Sequence, residues 1–163
     1  MIQKKVCILG PTGVGKTSLV KQFVEGIFSE KYQTTIGVKI DKKLVSQDDT
    51  AVQLLLWDLE GIDRYCGFNP RYLRGASACI IVVDQTRSQS LLEGMEILDM
   101  TREHYPEIPA FFVINKTDLP SSWHWSEDEL ASYAEKFISL TKTSAKTGEN
   151  VEELFRTIAF WSG

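Results

Sequence analysis

The chain has 163 residues, of which 43% are hydrophobic, so it is long enough to bury one sizeable core and short for two domains. Its 18 Lys and Arg residues against 22 Asp and Glu residues give a formal net charge of −4, which disfavours a broad basic surface for nucleic acid or an anionic membrane. Any phosphate binding must therefore be local. We expect residues 1–163 to form a single domain.

The chain contains three cysteines, Cys7, Cys66 and Cys79, without metal-ligand spacing, and two of them lie in or beside apolar runs. Reduced thiols in a cytosol are the simplest interpretation. The first residues show no signal-peptide pattern and the last show no lipidation motif, so we expect a cytoplasmic protein. Peripheral membrane association would need a lipidated tail beyond Gly163.

Short apolar runs alternate with amphipathic helical patterns along the chain. The runs predict strands at Val6–Leu9, Ala78–Val83 and Phe111–Ile114, and the patterns predict helices at Ser18–Glu25, Ser90–Glu103 and Ser126–Lys136. This alternation is typical of strand–helix–strand units in a mainly parallel sheet.

Two longer extended runs, Val38–Val45 and Val52–Trp57, are joined through Ser46–Thr50, whose Asp and Ser content suits a hairpin. A further strand near Phe137–Leu140 and a last helix from Val151 to about Phe160 complete the pattern. We therefore predict an α/β fold with a six-stranded, mainly parallel sheet, one antiparallel edge strand and helices on both faces.

Residues 10–17 match the phosphate-loop (P-loop) pattern G-x-x-x-x-G-K-[ST] between a predicted strand and a predicted helix. The glycines let the backbone close around phosphate oxygens, and the helix presents its positive end. Lys16 is predicted to reach the β- and γ-phosphates, and the Thr17 hydroxyl to take a Mg²⁺ position. The predicted phosphate-binding residues are Gly10, Gly13, Val14, Gly15, Lys16, Thr17 and Ser18. This loop alone leaves kinases, ATPases and GTPases open.

The motif Asn115-Lys116-Thr117-Asp118 follows an apolar strand, at the carboxyl end where open α/β sheets bind ligands. The Asp118 carboxylate can accept two parallel hydrogen bonds from the N1–H and 2-amino groups of guanine. Adenine lacks that donor pair and would leave the carboxylate unpaired. The motif therefore favours guanine over adenine.

At these residues the sequence resembles the Ras superfamily of small GTPases, whose N-K-x-D motif reads guanine. The resemblance implies that the Lys116 stem lies along the base and that Asn115 ties its loop to the P-loop. It also implies that Ser144-Ala145-Lys146 supplies a further base contact through the Ala145 N–H. The cofactors implied are GTP or GDP and Mg²⁺.

The resemblance covers nearly the whole chain and implies the fold of a P-loop NTPase G domain. Rab proteins look most similar, through the phrases Gly37-Val38, Trp57-Asp58, Tyr72–Ala76 and Val151–Phe155. The implied partners are effector proteins that contact residues 26–40 and 57–75, an exchange factor and a GTPase-activating protein.

Thr35 matches the first-switch threonine of the family, which closes onto Mg²⁺ and the γ-phosphate when GTP is bound. Phe28 falls where the family places an aromatic ring against the base, although a core Phe would look the same. Asp58, at the end of a predicted strand, is expected to hold a Mg²⁺-bound water. The predicted metal residues are Thr17, Thr35 and Asp58.

The second switch of the family reads Asp-x-x-Gly-Gln, whereas this chain reads Asp58-Leu59-Glu60-Gly61-Ile62. The Gly61 N–H is expected to meet the γ-phosphate, so the conformational switch remains physically possible. The residues predicted to act in hydrolysis are Lys16, Thr35 and Gly61.

Departures from the family pattern surround the γ-phosphate. Ile62 replaces the glutamine that orients the attacking water, and an alkyl group can neither donate nor accept a hydrogen bond. Glu60 adds a carboxylate close to the phosphate, and Thr12 stands where many relatives carry glycine. We therefore expect nucleotide binding to be kept and hydrolysis to be slow.

The leading hypothesis is a GTP/GDP switch with Mg²⁺-dependent, slow hydrolysis that recruits effectors in signalling or membrane trafficking. A nucleotide-loaded scaffold that never hydrolyses GTP is the alternative. A phosphotransferase is less favoured, because the chain has no evident lid for a second substrate. His104 and His124 offer no replacement base, since surface histidines are the commoner case.

Overall fold

The computed structural model describes residues 2–26, 37–60 and 69–162. Its strands, numbered along the chain, are β1 (Ile2–Leu9), β2 (Gly37–Gln47), β3 (Thr50–Glu60), β4 (Ala78–Asp84), β5 (Ala110–Asn115) and β6 (Leu140–Lys142). They form a six-stranded sheet in the order β2-β3-β1-β4-β5-β6. β2 and β3 are antiparallel at one edge, and the other neighbouring strands are parallel. The predicted sheet with one antiparallel edge strand is confirmed.

The helices are α1 (Lys16–Glu25), α2 (Gln89–His104), α3 (Glu127–Ala134) and α4 (Val151–Phe160). A 3₁₀ turn at Pro70–Leu73 precedes β4, and the Asn69 side chain accepts a hydrogen bond from the Arg71 N–H at its start. Proline suits that first position because its fixed φ matches the helix and its missing N–H would have had no partner there.

The helices cover both faces of the sheet. Since side chains alternate along a strand, Val6 and Ile8 pack with α1 and α4, whereas Cys7 and Leu9 pack with α2 and α3. The α1 and α4 layer is joined by stacked Phe23 and Phe155 rings with centroids 4.2 Å apart. The predicted two-faced arrangement is confirmed.

β1 lies between β3 and β4 and runs parallel to both. The chain leaves β1 for α1 on one face and leaves β4 for α2 on the other. Two adjacent parallel strands whose following helices lie on opposite faces open a crevice at their carboxyl ends, where ligands of such sheets bind. The loops after β1, β4 and β5 meet at this edge.

The hairpin between β2 and β3 is tighter than the predicted Ser46–Thr50 connection. The strands stay paired out to Gln47 and Thr50, so Asp48 and Asp49 alone form the turn. Asp48 has φ 52°, a left-handed conformation that Asp tolerates better than most residues. Because only two residues form the turn, both strands extend further toward it than predicted.

The predictions around Phe137 were wrong in their boundaries. α3 ends at Ala134 rather than Lys136, because Lys136 and Phe137 make turn hydrogen bonds to Tyr133 and Ala134. The sixth strand lies at Leu140–Lys142 rather than Phe137–Leu140. The Phe137 ring packs on Phe112 of β5, with ring centroids 4.7 Å apart, although Phe137 itself lies in a turn.

Cys7 and Cys79 are paired across β1 and β4 and are buried, as predicted for two of the cysteines. Burial raises the pKa of each thiol to about 12, so both remain protonated at neutral pH. Cys66 lies outside the described residues. In the parts of the chain that the structure describes, no helix is long and apolar enough to cross a membrane.

Candidate functional site

The loop between β1 and α1 cannot accept side chains at two of its glycines. Gly10 and Gly15 have φ values of 149° and 98°. A Cβ on Gly10 would lie 2.3 Å from the Val82 carbonyl oxygen, and one on Gly15 would lie 2.5 Å from the Asn115 side-chain nitrogen. Close packing and backbone conformation therefore both require glycine at these positions.

Lys16 is buried at the start of α1, and its Nζ donates to the carbonyl oxygens of Gly10 at 2.8 Å and Pro11 at 2.9 Å. Gly15 caps α1 without a side-chain hydrogen bond, and the first turn of the helix carries no acidic residue. The ammonium group and the positive end of α1 thus face the same loop, an arrangement that suits an anion such as phosphate.

Thr17 and Asp58, two of the three predicted metal residues, lie together. The Thr17 hydroxyl donates to Asp58 Oδ2 at 2.6 Å, although the residues belong to α1 and β3. Asp58 is 1% exposed. Hydroxyl and carboxylate oxygens are hard donors of the kind Mg²⁺ prefers, so this pair fits the ion that the family uses. Thr35 lies outside the described residues.

Asn115 connects two loops of the site to the P-loop. Its side-chain nitrogen donates to the Val14 carbonyl at 3.0 Å. Its side-chain oxygen accepts from the Thr143 hydroxyl at 3.1 Å and the Ala145 N–H at 3.2 Å. The predicted tie between Asn115 and the P-loop is present. In this structure the Ala145 N–H pairs with Asn115, and its expected contact with the base stays a prediction.

Lys116 and Asp118 project from the same turn. Lys116 has φ 66°, and its Nζ donates to the Gly13 carbonyl at 2.9 Å. Asp118 is exposed, and its Oδ1 accepts a hydrogen bond of 2.8 Å from the buried Ser144 hydroxyl. This bond orients the carboxylate from the loop after β6. The Lys116 ammonium is held at the P-loop, which leaves its methylene stem to cover a base.

The remaining predicted residues divide into two groups. Val14 is buried, Ser18 is half-buried on α1, and Lys146 is exposed after Ala145. The predicted residues that lie outside the described ranges are Phe28, Thr35, Gly61 and Ile62. The structure therefore brings together the P-loop, the Asn115–Asp118 turn and the Ser144–Lys146 loop. Of the predicted effector segments 26–40 and 57–75, it describes residues 26, 37–40, 57–60 and 69–75.

Sequence reasoning missed Thr143 and Asp84. Thr143 orients Asn115, as described above. Asp84 ends β4 directly beside Asn115 in the register of β4 and β5, and its Oδ2 lies 3.0 Å from the Lys116 Nζ. Asp84 follows an apolar strand just as Asn115 does, and this shared position is the signal that could have identified it.

A mainly parallel α/β sheet with a glycine-rich loop and a buried lysine at the start of the first helix defines a P-loop nucleotide-binding protein. The family model of the Ras family matches residues 5–160, and the chain belongs to that family. It is accordingly a small GTPase, one of a family of GTP-binding switches that hold guanine nucleotide with Mg²⁺.

Proposed function

We propose that this protein is a Rab-like switch of the cytoplasm that hydrolyses GTP slowly and recruits effectors in signalling or membrane trafficking. The observation that carries the slow hydrolysis is Ile62 at the position of the family glutamine. Ile62 lies outside the described residues, and its chemistry supports the proposal, because an alkyl side chain cannot orient a water molecule. Glu60, whose side chain is not described either, is a carboxylate where the family usually has alanine, and negative charge close to the γ-phosphate would oppose the ligand.

Tight nucleotide binding is supported by contacts that do not involve the second switch. Asn115 and Lys116 donate to main-chain carbonyls of the P-loop, and Ser144 orients Asp118. Asn115 and Ser144 are themselves buried. These contacts do not depend on Ile62, so hydrolysis can be slow while nucleotide binding is tight.

Apolar side chains beside the switch segments support recruitment of a protein partner. Ile40 of β2 is 49% exposed and lies opposite Trp57 in the β2–β3 register. Trp57 and Tyr72 are half-buried, and the Lys5 Nζ lies 3.7 Å from the Trp57 ring centroid. Ile40, Trp57 and Tyr72 lie within the two segments proposed to contact effectors, 26–40 and 57–75, and aromatic side chains are enriched at protein interfaces.

Single-turnover hydrolysis of bound GTP tests the proposal. Intrinsic rates of small GTPases with the glutamine are on the order of 10⁻⁴ s⁻¹, and we expect a slower rate here. Ile62→Gln should raise the rate roughly 5- to 100-fold, since one good hydrogen bond to the water is worth about 1–3 kcal/mol of barrier. Glu60→Ala combined with Ile62→Gln should exceed the single change. GTP affinity should stay close to wild type, because the effect lies in the transition state.

Ile138→Gln is the matched control, because Ile138 is 47% exposed and follows α3, away from the phosphate loop. It should leave the rate unchanged. Wild-type hydrolysis as fast as that of glutamine-containing relatives would contradict the proposal and would make Glu60 the first candidate to position the water. Hydrolysis that stays undetectable in every variant would favour the nucleotide-loaded scaffold.

A further inference from the structure

Successive carbonyl groups of the P-loop accept hydrogen bonds from side chains outside the loop. The Arg87 guanidinium donates to the Thr12 carbonyl at 2.8 Å, the Lys116 ammonium to the Gly13 carbonyl at 2.9 Å, and the Asn115 side-chain nitrogen to the Val14 carbonyl at 3.0 Å. The C=O and N–H groups of a trans peptide point in opposite directions. Holding these carbonyls therefore directs the N–H groups of the following residues to the other side of the loop, where successive N–H groups form an anion-binding concavity.

The Arg87 contact comes from the loop between β4 and α2, which contains none of the predicted site residues. Arg87 Nε lies 3.4 Å from Asp84 Oδ2, and Lys116 Nζ lies 3.0 Å from the same oxygen. Asp84 is 1% exposed, and its Oδ1 accepts hydrogen bonds from the N–H and hydroxyl of Thr86. A single buried carboxylate thus positions both cations that hold the Thr12 and Gly13 carbonyls.

The Trp123–Trp125 segment fixes the main chain of this loop. The Trp123 indole donates to the carbonyl oxygens of Asp84 at 2.7 Å and Arg87 at 3.1 Å. The Trp125 indole donates to the Ser88 carbonyl at 3.2 Å. The backbone that carries Asp84 and Arg87 is therefore hydrogen-bonded to a segment that follows the guanine motif.

We propose that Arg87 and Asp84 are positioning residues for the phosphate-binding N–H groups and that they slow the release of bound guanine nucleotide. They act through the main chain of the P-loop and through Lys116. The inference rests on the proposed assignment of residues 10–17 as the phosphate site, and it does not depend on the rate of hydrolysis.

The test is the release rate of a fluorescent N-methylanthraniloyl (mant) derivative of GDP, chased with excess GDP at constant Mg²⁺. We expect Arg87→Ala to release it about tenfold faster, because a charge-assisted hydrogen bond to the Thr12 carbonyl is lost. The Arg87 side chain is 46% exposed, so its truncation leaves no core cavity. Arg87→Lys should fall between Arg87→Ala and wild type, since an ammonium cannot reproduce the fork that reaches two acceptors.

Arg156→Ala is the matched control. Arg156 is 42% exposed, donates to the Ser46 carbonyl at 2.8 Å and pairs with Glu152, so it makes the same kinds of contact away from the site. We expect its release rate to stay within about twofold of wild type. The preference for GDP over XDP should be unchanged in Arg87→Ala, because the predicted base contacts are intact.

Two further variants test whether the residues act together. Asp84→Asn should release GDP faster than Arg87→Ala does. Because the two residues act together, the double variant should accelerate release by less than the product of the two single accelerations. Trp123→Phe, which keeps an aromatic ring but loses the indole N–H, should accelerate release about threefold.

The outcomes separate the inference from the function on which it rests. If wild-type protein binds no GDP, the assignment of the phosphate site is wrong and the inference fails with it. If wild-type protein binds GDP but Arg87→Ala releases it no faster than Arg156→Ala, the inference alone is wrong. A change in the GDP-over-XDP preference of Arg87→Ala would also contradict it, since that would indicate a general distortion of the site.

Discussion

At the base end of the site, Asn115 bonds to Val14, Thr143 and Ala145, and Ser144 orients Asp118, so three loops are joined by side chains. At the γ-phosphate end, the described contact between metal residues is the 2.6 Å hydrogen bond from Thr17 to Asp58. Lys16 is also described there, whereas Thr35, Gly61 and Ile62 lie outside the described residues. The departures from the family pattern, Thr12, Glu60 and Ile62, are predicted to lie at this second end.

This difference separates two physical demands on the protein. Retaining a nucleotide depends on donors and acceptors held in place before the ligand arrives, and the base end supplies them from the end of β5 and from the loops that follow β5 and β6. Hydrolysis depends on orienting one water in the transition state, and the sequence predicts an isoleucine, Ile62, at the position of the residue that would do so. The comparison predicts that changes at the base end alter affinity, whereas changes at Ile62 alter rate.

The largest expected effect is at the phosphate end. Lys16→Ala removes a buried ammonium from the P-loop and should weaken GDP binding on the order of 1000-fold. Thr17→Asn should weaken GTP binding more than GDP binding, because it disturbs Mg²⁺ coordination. Equilibrium titration with labelled nucleotide measures both, with Lys21→Ala on α1 as the control. Wild-type GTP affinity in both variants would contradict the phosphate-site assignment.

Asp118→Asn tests the base end directly. The change replaces one acceptor by a donor, which suits the 2-oxo group of xanthine and opposes the 2-amino group of guanine. We expect the GTP-over-XTP preference to shift roughly 100-fold toward XTP, measured by competition binding. A variant that keeps the wild-type preference would show that another group reads the base.

Gly15→Ala tests the contact between the two ends. The added Cβ would meet the Asn115 side-chain nitrogen at 2.5 Å and displace the amide that bonds to Val14. We expect thermal unfolding to show a loss of about 2 kcal/mol more than Gly26→Ala causes. Gly26 has φ 70° but nothing within 4 Å of its Cβ position, so that control isolates the cost of the backbone conformation. Equal losses would mean that Asn115 moves aside without cost.

Ser144→Ala should have the smallest effect. Removing the hydroxyl that bonds to Asp118 should weaken GDP binding about fivefold without changing guanine selectivity, because the carboxylate remains. The control is Ser126→Ala, which removes the hydroxyl that accepts from the Glu129 N–H at the start of α3. It should lower stability and leave GDP affinity unchanged. A loss of selectivity in Ser144→Ala would show that the serine itself touches the base.

Local patterns were sufficient for most of the fold. The apolar runs placed the cores of β1, β4 and β5, because fully buried strands read as continuous hydrophobic segments. Similar reasoning failed at Phe137, where an apolar side chain packs on the sheet from a turn. The pattern of apolar residues predicts that a side chain is buried, but it does not predict whether that residue lies in a strand or in a turn.

By itself, the sequence determined the class of site, since the P-loop and the Asn115–Asp118 motif each combine residue types and spacing that few other structures need. The resemblance predicted that Asn115 holds the P-loop, whereas tertiary structure alone showed the parts taken by Asp84, Arg87 and Thr143. Asp84 at the end of β4 and the loop residues Arg87 and Thr143 are distant along the chain from residues 10–17, and they lie beside the site because β1, β4, β5 and β6 follow one another in the sheet. Hydrogen bonds between residues 75 positions apart, such as Arg87 to Thr12, depend on strand order and register, which local periodicity does not encode.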